Sequence, residues 1–247
     1  MAEARVEDAQ GRPLSGCPAE KARQMLADGR ASLVSDDPLT IRLSYAVDIP
    51  ERQPEPASPL AGERLLLHIC CGPCATWTIQ HLTQLGALVT GFWFNPNIHP
   101  FSEHERRRET LAAFAQQQGL PMVWEPSYEM PAFLQVVADA PQQGQRCHPC
   151  YRMRLQRTAQ RAAELGYSYL CSTLLISPHQ DLDIIRDEGH AAAEKHGVRF
   201  YDENLRRGFA EHHRLAKEHG LYQQRYCGCI YSEWESLSKD AATRSRA

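Results

Sequence analysis

Residues 65–77, LLLHICCGPCATW, place three cysteines between an apolar run and a helical pattern. The run is short and continuous, as is typical of a strand that is buried on both faces of a sheet. The helical pattern that follows ends at Gly86, a residue suited to the position just after a helix. A strand followed by a helix puts Cys70, Cys71 and Cys74 at the C-terminal end of the strand, where parallel sheets form their sites.

The pattern of this first strand and helix repeats along the rest of the chain. Apolar runs alternate with helical patterns of about ten residues or more, and this alternation predicts a parallel sheet with right-handed crossovers. We therefore expect an α/β fold with one parallel-sheet domain, helices on both faces and the cysteine cluster at the C-terminal strand ends. This is a three-layer arrangement of the HUP or Rossmann-like type. The predicted strands cover residues 64–69, 87–94, 121–124, 167–175 and 198–202.

The sequence predicts three segments. Residues 1–62 are expected to form an N-terminal extension that is partly disordered, with a short helix near residues 19–27 and a strand near 40–47. Pro, Glu and Ser accumulate at residues 51–59, as in a linker. Residues 63–237 hold the main domain, and residues 238–247 form a flexible tail.

Composition limits the class of protein. The chain has 247 residues, enough for a core that needs no disulfides, yet it contains nine cysteines. No signal peptide and no membrane-spanning run is apparent, so we expect a cytoplasmic protein without a membrane partner. In a reducing compartment, clustered cysteines indicate metal or redox chemistry rather than structural disulfides. The net charge of −3 neither requires nor excludes a nucleic-acid partner.

Seven cysteines fall into three short clusters at predicted element ends. Cys70, Cys71 and Cys74 stand where relatives of this architecture carry a glycine-rich phosphate loop, and the absence of such a motif argues against an ATP-dependent enzyme. The other clusters are RCHPCY, with Cys147 and Cys150, and YCGCIY, with Cys227 and Cys229. Three such clusters indicate a metal or redox centre.

Three kinds of centre remain open on the residues alone. An iron–sulfur cluster takes four thiolates from separate parts of a chain and transfers electrons, which favours it here. A structural zinc site needs only four ligands and normally nucleates a small fold. It would correspond to a zinc-stabilised RNA-binding module. A metal-free thiol–disulfide oxidoreductase is the third alternative, although a single C-x-x-C would suffice for it.

Five motifs in order resemble the QueH-type epoxyqueuosine reductases: HICCGPC, FWFNPNIHPFSEHERRRETL, RCHPCYRMRL, STLLISPHQD and YCGCIYSE. The resemblance covers about residues 64–234. It implies an oxidoreductase of queuosine biosynthesis that reduces epoxyqueuosine to queuosine at the wobble position of tRNA anticodons. It also implies a [4Fe-4S] cluster, no cobalamin and an external electron donor.

The resemblance also implies roles for individual residues. Cys70, Cys71, Cys147 and Cys150 are the expected cluster ligands. Cys227 and Cys229 are expected to form a redox-active disulfide or to bind a second, mononuclear iron, and Cys74 could join either group. Asp183 is the expected carboxylate ligand and a catalytic candidate with Cys227 and Cys229. Asn204 stands where the family commonly has an acid, so any role of that acid moves to Asp202 or Glu203, or is absent.

Basic residues suggest where tRNA would bind. Arg154, Arg157 and Arg161 fall on one stripe of a predicted helix that begins beside the Cys147–Cys150 pair. Arginines in such a stripe could contact tRNA phosphates. We therefore expect these three residues to bind RNA.

Overall fold

The structure is a computed structural model that describes residues 3–47 and 58–244. It contains two compact units, Met1–Pro56 and Ala57–Ala247. Residues 48–57, which include most of the predicted linker, and residues 245–247 of the predicted tail lie outside the described residues.

The N-terminal unit is a small folded α/β structure. It comprises β1 (Glu3–Glu7), β2 (Pro13–Pro18), α1 (Ala19–Ala27), β3 (Ala31–Asp36) and β4 (Leu39–Leu43). The strands form one sheet in the order β2-β1-β4-β3, in which β1 and β4 are parallel and the other pairs antiparallel. Its buried apolar residues are Ala4, Val6, Ala22, Ile41 and Leu43.

Residues 3–47 of the predicted extension are therefore folded, and the predicted helix and strand correspond to α1 and β4. The prediction of partial disorder also covers residues 48–57, which lie outside the described residues. A core of so few residues leaves only a weak hydrophobic pattern in the sequence. A buried turn adds order that periodicity does not reveal. The Asp8 carboxylate, which is fully buried, accepts hydrogen bonds from the amides of Gln10 and Arg12 and from the Arg12 guanidinium.

The second unit contains the predicted parallel sheet with helices around it. Its strands are β5 (Arg64–His68), β6 (Leu88–Trp93), β7 (Met122–Trp124), β8 (Tyr169–Ser172) and β9 (Arg199–Phe200). They are all parallel and lie in the order β7-β6-β5-β8-β9. The helices are α2 (Gly72–Gln84), α3 (Phe101–Gln118), α4 (Met130–Val137), α5 (Cys147–Glu164), α6 (Leu182–His196), α7 (Phe209–Glu218) and α8 (Ile230–Arg244). This confirms the predicted fold class.

The strand order explains the buried leucine run and locates the site. β5 is the central strand, and Leu65, Leu66 and Leu67 are fully buried in it. The chain passes from β5 to β6 and β7 on one side, then returns to β8 and β9 on the other. Because such crossovers are right-handed, α2 and α3 lie on one face of the sheet, and α5 and α6 lie on the other. The direction of winding reverses between β5 and β8, and the C-terminal ends of these strands are the expected binding crevice.

The structure differs from the prediction at two places near that crevice. The predicted strand 167–175 ends at Ser172, because the Ser172 hydroxyl accepts a hydrogen bond from the amide of Leu174 and starts the 3₁₀ turn Thr173–Ile176. The helix α8 was not predicted. It begins directly after Cys229 and continues to Arg244, so most of the predicted tail 238–247 is helical.

Candidate metal and redox site

Three sulfurs converge at the end of β5. The Sγ atoms of Cys70, Cys71 and Cys74 all lie within 4.8 Å of one another. Cys71 is the N-cap residue of α2, and its sulfur accepts the amide of Cys74 at 3.5 Å. A sulfur at this position also faces the positive end of the helix dipole, which favours a thiolate, but at Cys71 the effect of burial is larger and raises the pKa. The sequence therefore forms this group locally, through the turn from strand to helix.

Two residues outside the sequence motif hold these sulfurs. The Thr173 hydroxyl accepts the amide of Cys70 at 3.1 Å and lies 3.2 Å from its sulfur as a donor. The Gln224 side-chain amide donates to the Cys71 sulfur at 3.0 Å. Thr173 follows β8, the neighbour of β5, so the strand order could have revealed it. No sequence signal pointed to Gln224.

The three thiols do not ionise equally. The neighbouring thiols of Cys71 and Cys74 donate toward the sulfur of Cys70 and hold its pKa well below the usual range. Burial raises the pKa of Cys71 to about 12, and the hydrogen bond to Cys70 raises the pKa of Cys74. A metal ion binds thiolates, so its binding here would displace the remaining protons.

The four cysteines of the other two motifs form a second group. Cys147 and Cys150 lie in the first turn of α5, and Cys227 and Cys229 flank Gly228 before α8. Cys150 and Cys229 are buried in one apolar cluster with Phe133 and Val137. Burial raises the pKa of Cys150 to about 11, and the nearby sulfurs of Cys147 and Cys229 contribute to the shift.

Arg154 lies between the two sulfur groups. Its side chain is almost completely buried, with 1% of the residue exposed. It donates to Asn95 Oδ1 at 2.9 Å, to His68 Nε2 at 3.4 Å and to the Cys150 sulfur at 3.8 Å. Burial opposes its charge, but the sulfurs of Cys150 and Cys70 outweigh this effect and raise its pKa. Among the described residues, no carboxylate forms an ion pair with it.

This burial corrects the prediction that Arg154 contacts RNA, because a side chain beneath the strand ends cannot reach a phosphate. Arg157 and Arg161, one and two turns further along α5, are partly exposed. Both are engaged with acids: Arg157 with Glu129 at 2.6 Å, and Arg161 with Glu164 at 2.5 Å. Their predicted role in RNA binding stays a prediction.

A second buried arginine positions the C-terminal cysteines. Arg107, on α3, donates to the main-chain carbonyls of Cys227 at 3.0 Å and Tyr226 at 3.2 Å. Its third contact is an ion pair with Glu103 at 2.7 Å. Because these bonds are made to the main chain, Arg107 fixes the path of the loop that carries Cys227.

The acidic candidates do not contact the sulfurs in this structure. The Asp183 side chain is 90% exposed in the first turn of α6, where it lies 3.9 Å from Arg186. The Asn204 side chain accepts the amide of Arg206 and caps a 3₁₀ turn, which an acid could do equally well. Glu203 accepts from Tyr201 at 2.8 Å and lies 2.7 Å from His81.

No helix within the described residues has both the length and the apolar character that crossing a membrane requires.

Comparison with known proteins yields two family matches. A family model described as epoxyqueuosine reductase QueH matches residues 65–235, and a model described as RRXRR protein matches residues 5–58. An epoxyqueuosine reductase QueH from Dehalococcoides mccartyi is 40% identical over 71% of this chain and 96% of its own length. The protein of the same name from Thermotoga maritima is 37% identical over 72% of this chain and 94% of its own length. The protein of the same name from Histophilus somni is 36% identical over 73% of this chain and 76% of its own length.

Proposed function

Since the chain belongs to the epoxyqueuosine reductase QueH family, a family of oxidoreductases, we propose that it reduces epoxyqueuosine at the wobble position of tRNA to queuosine with a [4Fe-4S] cluster. The family match supports the reduction of epoxyqueuosine. The cluster and the tRNA position are our proposal, as are an external electron donor and a location in the cytoplasm. Residues 63–237 would carry the activity.

The buried charge of Arg154 is the observation that best supports the proposal of a metal centre. A guanidinium stays protonated in proteins, and a buried charge is stable only when it is paired. Arg154 meets sulfur where a carboxylate would be expected. Four thiolates around a [4Fe-4S] cluster give an anionic centre, which would complete this pair. Without a metal, the sulfur that Arg154 contacts would belong to a neutral thiol, because burial raises the pKa of Cys150 to about 11. Only Cys70, whose pKa is low, would then offer a thiolate to the cation, which argues against the metal-free alternative.

The donor set fits the cluster. Cys70, Cys71, Cys147 and Cys150 are the proposed ligands. Two of them follow β5 and two begin α5, and the charge of Arg154 responds to a sulfur from each pair, Cys70 and Cys150. A zinc site with four thiolates would also pair with the arginine, but zinc has no redox chemistry, and reduction of an epoxide consumes two electrons. An iron–sulfur cluster supplies electrons when it is bound. The redox chemistry of the family therefore favours iron.

The pair Cys227–Cys229 is the proposed two-electron couple. Conversion of an epoxide to an alkene consumes two electrons and two protons and releases the oxygen as water. Oxidation of two thiols to a disulfide releases two electrons and two protons, so the reaction balances. Gly228 lets the two cysteines approach, and Arg107 holds the loop. An external donor would then reduce the disulfide again.

The alternative use of this pair is a second iron site with Cys74 or Asp183. It would require Asp183 to turn inward from its exposed position.

The test begins with protein purified without oxygen. We expect about four irons and four acid-labile sulfides per chain, and conversion of tRNA-bound epoxyqueuosine to queuosine by mass spectrometry. Cys70→Ala and Cys150→Ala should lose iron. Cys227→Ser and Cys229→Ser should keep the cluster and lose turnover. Cys171→Ala, a buried cysteine of β8 outside both sulfur groups, is the matched control and should keep both.

Other results would contradict the proposal. Zinc without sulfide would support the zinc-stabilised RNA-binding module, and full activity after chelation would support the metal-free oxidoreductase. Iron in excess of sulfide, lost in Cys227→Ser, would assign the pair to a second iron. Asp183→Asn would then be expected to lose the same iron.

A further inference from the structure

A cavity of about 420 Å³ lies beside the C-terminal cysteine loop. It is formed by α3, by the segment that leads from α7 to the cysteines and by α8. The residues that matter here are Arg106, Tyr222, Arg225, Tyr226, Glu233 and Leu237. Its volume falls at the lower end of the range of small-molecule sites, about 300–1,000 Å³. A single nucleotide is an occupant of suitable size.

The cavity contains free positive charge. Arg106 and Arg225 are both exposed, and neither forms an ion pair with a described residue. Glu233 is the one acid in the lining. The basic residues of α5 differ in this respect, because Arg157 and Arg161 are held by neighbouring carboxylates. A phosphate group would therefore find unpaired guanidinium groups at this cavity rather than on α5.

The aromatic residues of the cavity are fixed in place. The Arg106 guanidinium lies over the Tyr222 ring, 3.7 Å from its centroid. The Tyr222 hydroxyl donates to Glu103 at 2.9 Å, and the Tyr226 hydroxyl donates to the carbonyl of His99 at 2.6 Å. Rings held at one end by such bonds need little further ordering when a base stacks on them. Aromatic and guanidinium planes are the surfaces on which proteins stack single-stranded bases.

The cavity lies next to the proposed reaction site through one lining residue. Tyr226 lines it and is followed directly by Cys227, and Arg107 binds the carbonyls of both residues. A chain of nucleotides whose reacting member lies at Cys227 would therefore have its neighbour at the cavity.

We propose that this cavity binds a nucleotide of single-stranded RNA adjacent to the nucleotide that is reduced. Arg106 and Arg225 contact its phosphate, and Tyr222 and Tyr226 contact its base. The inference rests on the proposed function and adds to it the surface by which the substrate is held. It moves the principal RNA contact from the predicted stripe on α5 to the cavity beside the cysteine loop.

Binding of labelled tRNA anticodon stem-loop RNA to the cluster-loaded enzyme tests the proposal. The double variant R106A/R225A should weaken binding by about tenfold or more, because two phosphate contacts are lost. The slope of log K against log salt should become shallower by about 1.4, at roughly 0.7 per contact for a single strand. Tyr222→Leu should weaken binding by about tenfold while leaving the salt slope unchanged, because stacking carries little charge dependence. Arg214→Ala is the control, since Arg214 is exposed and paired with Glu211 on α7.

Turnover separates this role from a structural one. In R106A/R225A the KM for tRNA carrying epoxyqueuosine should rise by the same factor as the Kd, while kcat and the iron and sulfide content stay unchanged. Unchanged binding and salt slope would overturn the inference. It would also be overturned if R157A/R161A weakened binding and R106A/R225A did not.

The remaining outcomes are also decisive. R106A/R225A could bind RNA normally and be reduced normally by dithionite, yet be reduced more slowly than wild type by a protein electron donor. The cavity would then bind that protein, and the inference would be wrong. If the wild-type enzyme reduces epoxyqueuosine but the cavity variants bind RNA as tightly as Arg214→Ala does, this inference is wrong and the proposed function stands. If the wild-type enzyme neither binds nor reduces the tRNA, both fail.

Discussion

Replacing Arg154 by glutamine should lower the reduction potential of the metal centre. Glutamine keeps a polar group near Asn95 and His68 but removes the buried positive charge. Reduction adds an electron to a centre that is already anionic, and a nearby cation stabilises the reduced form more than the oxidised form. Loss of the cation therefore makes the centre harder to reduce.

The size of the effect follows from the distance between Arg154 and sulfur. The guanidinium lies 3.8 Å from the Cys150 sulfur, at which two unit charges interact by about 4 kcal/mol for an effective dielectric constant of about 20. The added electron is spread over the whole cluster, so about half of this value, roughly 2 kcal/mol, is expected. With 59 mV for each factor of ten in a one-electron couple, the potential should fall by about 90 mV.

The assay is a redox titration of the protein under anaerobic conditions, followed by visible absorption and by the electron paramagnetic resonance signal of the reduced cluster. Arg154→Lys is the matched variant, because it keeps the charge and loses the planar donor group. We expect the potential of Arg154→Lys to stay within about 30 mV of wild type. Asn95→Asp is a second test, since it places a negative charge beside an intact Arg154 and should also lower the potential.

Two results would refute the reasoning. If Arg154→Gln assembled a full cluster with an unchanged reduction potential, the charge of Arg154 would have no role in setting that potential. If Arg154→Lys shifted the potential as far as Arg154→Gln did, the geometry of the guanidinium rather than its charge would be responsible. Iron and sulfide content measured on each sample distinguishes a shifted cluster from a lost one, and Asn95→Asp keeps the test available if Arg154→Gln does not fold.

Three further changes test other parts of the site. Gly228→Ala should lower the free energy of unfolding by about 1–3 kcal/mol in urea and slow turnover. The backbone there has a φ of +147°, and a Cβ would lie 3.1 Å from side chains of residues 97–98. Thr173→Val removes both hydrogen bonds to Cys70. It should lower the free energy of unfolding by about 1–2 kcal/mol and reduce the iron content of the purified protein. His212 is neutral in the fold because burial lowers its pKa to about 4, whereas the unfolded histidine takes up a proton near pH 6.5. The free energy of unfolding should therefore fall by at most about 3 kcal/mol from pH 6.5 to pH 4, and His212→Gln should flatten that profile.

The sheet could be predicted because its signal is local. The leucine run before Cys70 has the length and composition of a strand buried on both faces, and the observed β5 is such a strand. Alternation with helices then limits the connections to parallel strands with right-handed crossovers. The N-terminal unit lacks this advantage, because its five buried apolar residues are spread over two strands, β1 and β4, and the helix α1.

The grouping of the sulfurs was harder to predict than their presence. Sequence spacing places Cys74 one helical turn from Cys71, and the cap geometry brings their atoms together with Cys70. The convergence of the Cys147 and Cys227 segments depends on α5 and on the loop held by Arg107, whose positions follow from packing between distant residues. The helix α8 was missed because the cysteine motif before it reads as a loop, and its apolar residues Ile230, Trp234 and Leu237 are largely exposed.

The arginines of α5 show where periodicity reaches its limit. Residues 154, 157 and 161 share a stripe, as predicted, but a stripe says nothing about how deeply each turn of the helix is buried. In the first turns of α5 the side chain of Arg154 is enclosed by the Cys150 sulfur and by the polar side chains of His68 and Asn95. The later turns are still buried at Thr158, Ala159 and Ala162, but the stripe with Arg157 and Arg161 is partly exposed there, and both arginines pair with acids. Arginines of one stripe thus lie in two environments, and the difference is set by the residues that pack against each turn, which the sequence of the helix does not encode.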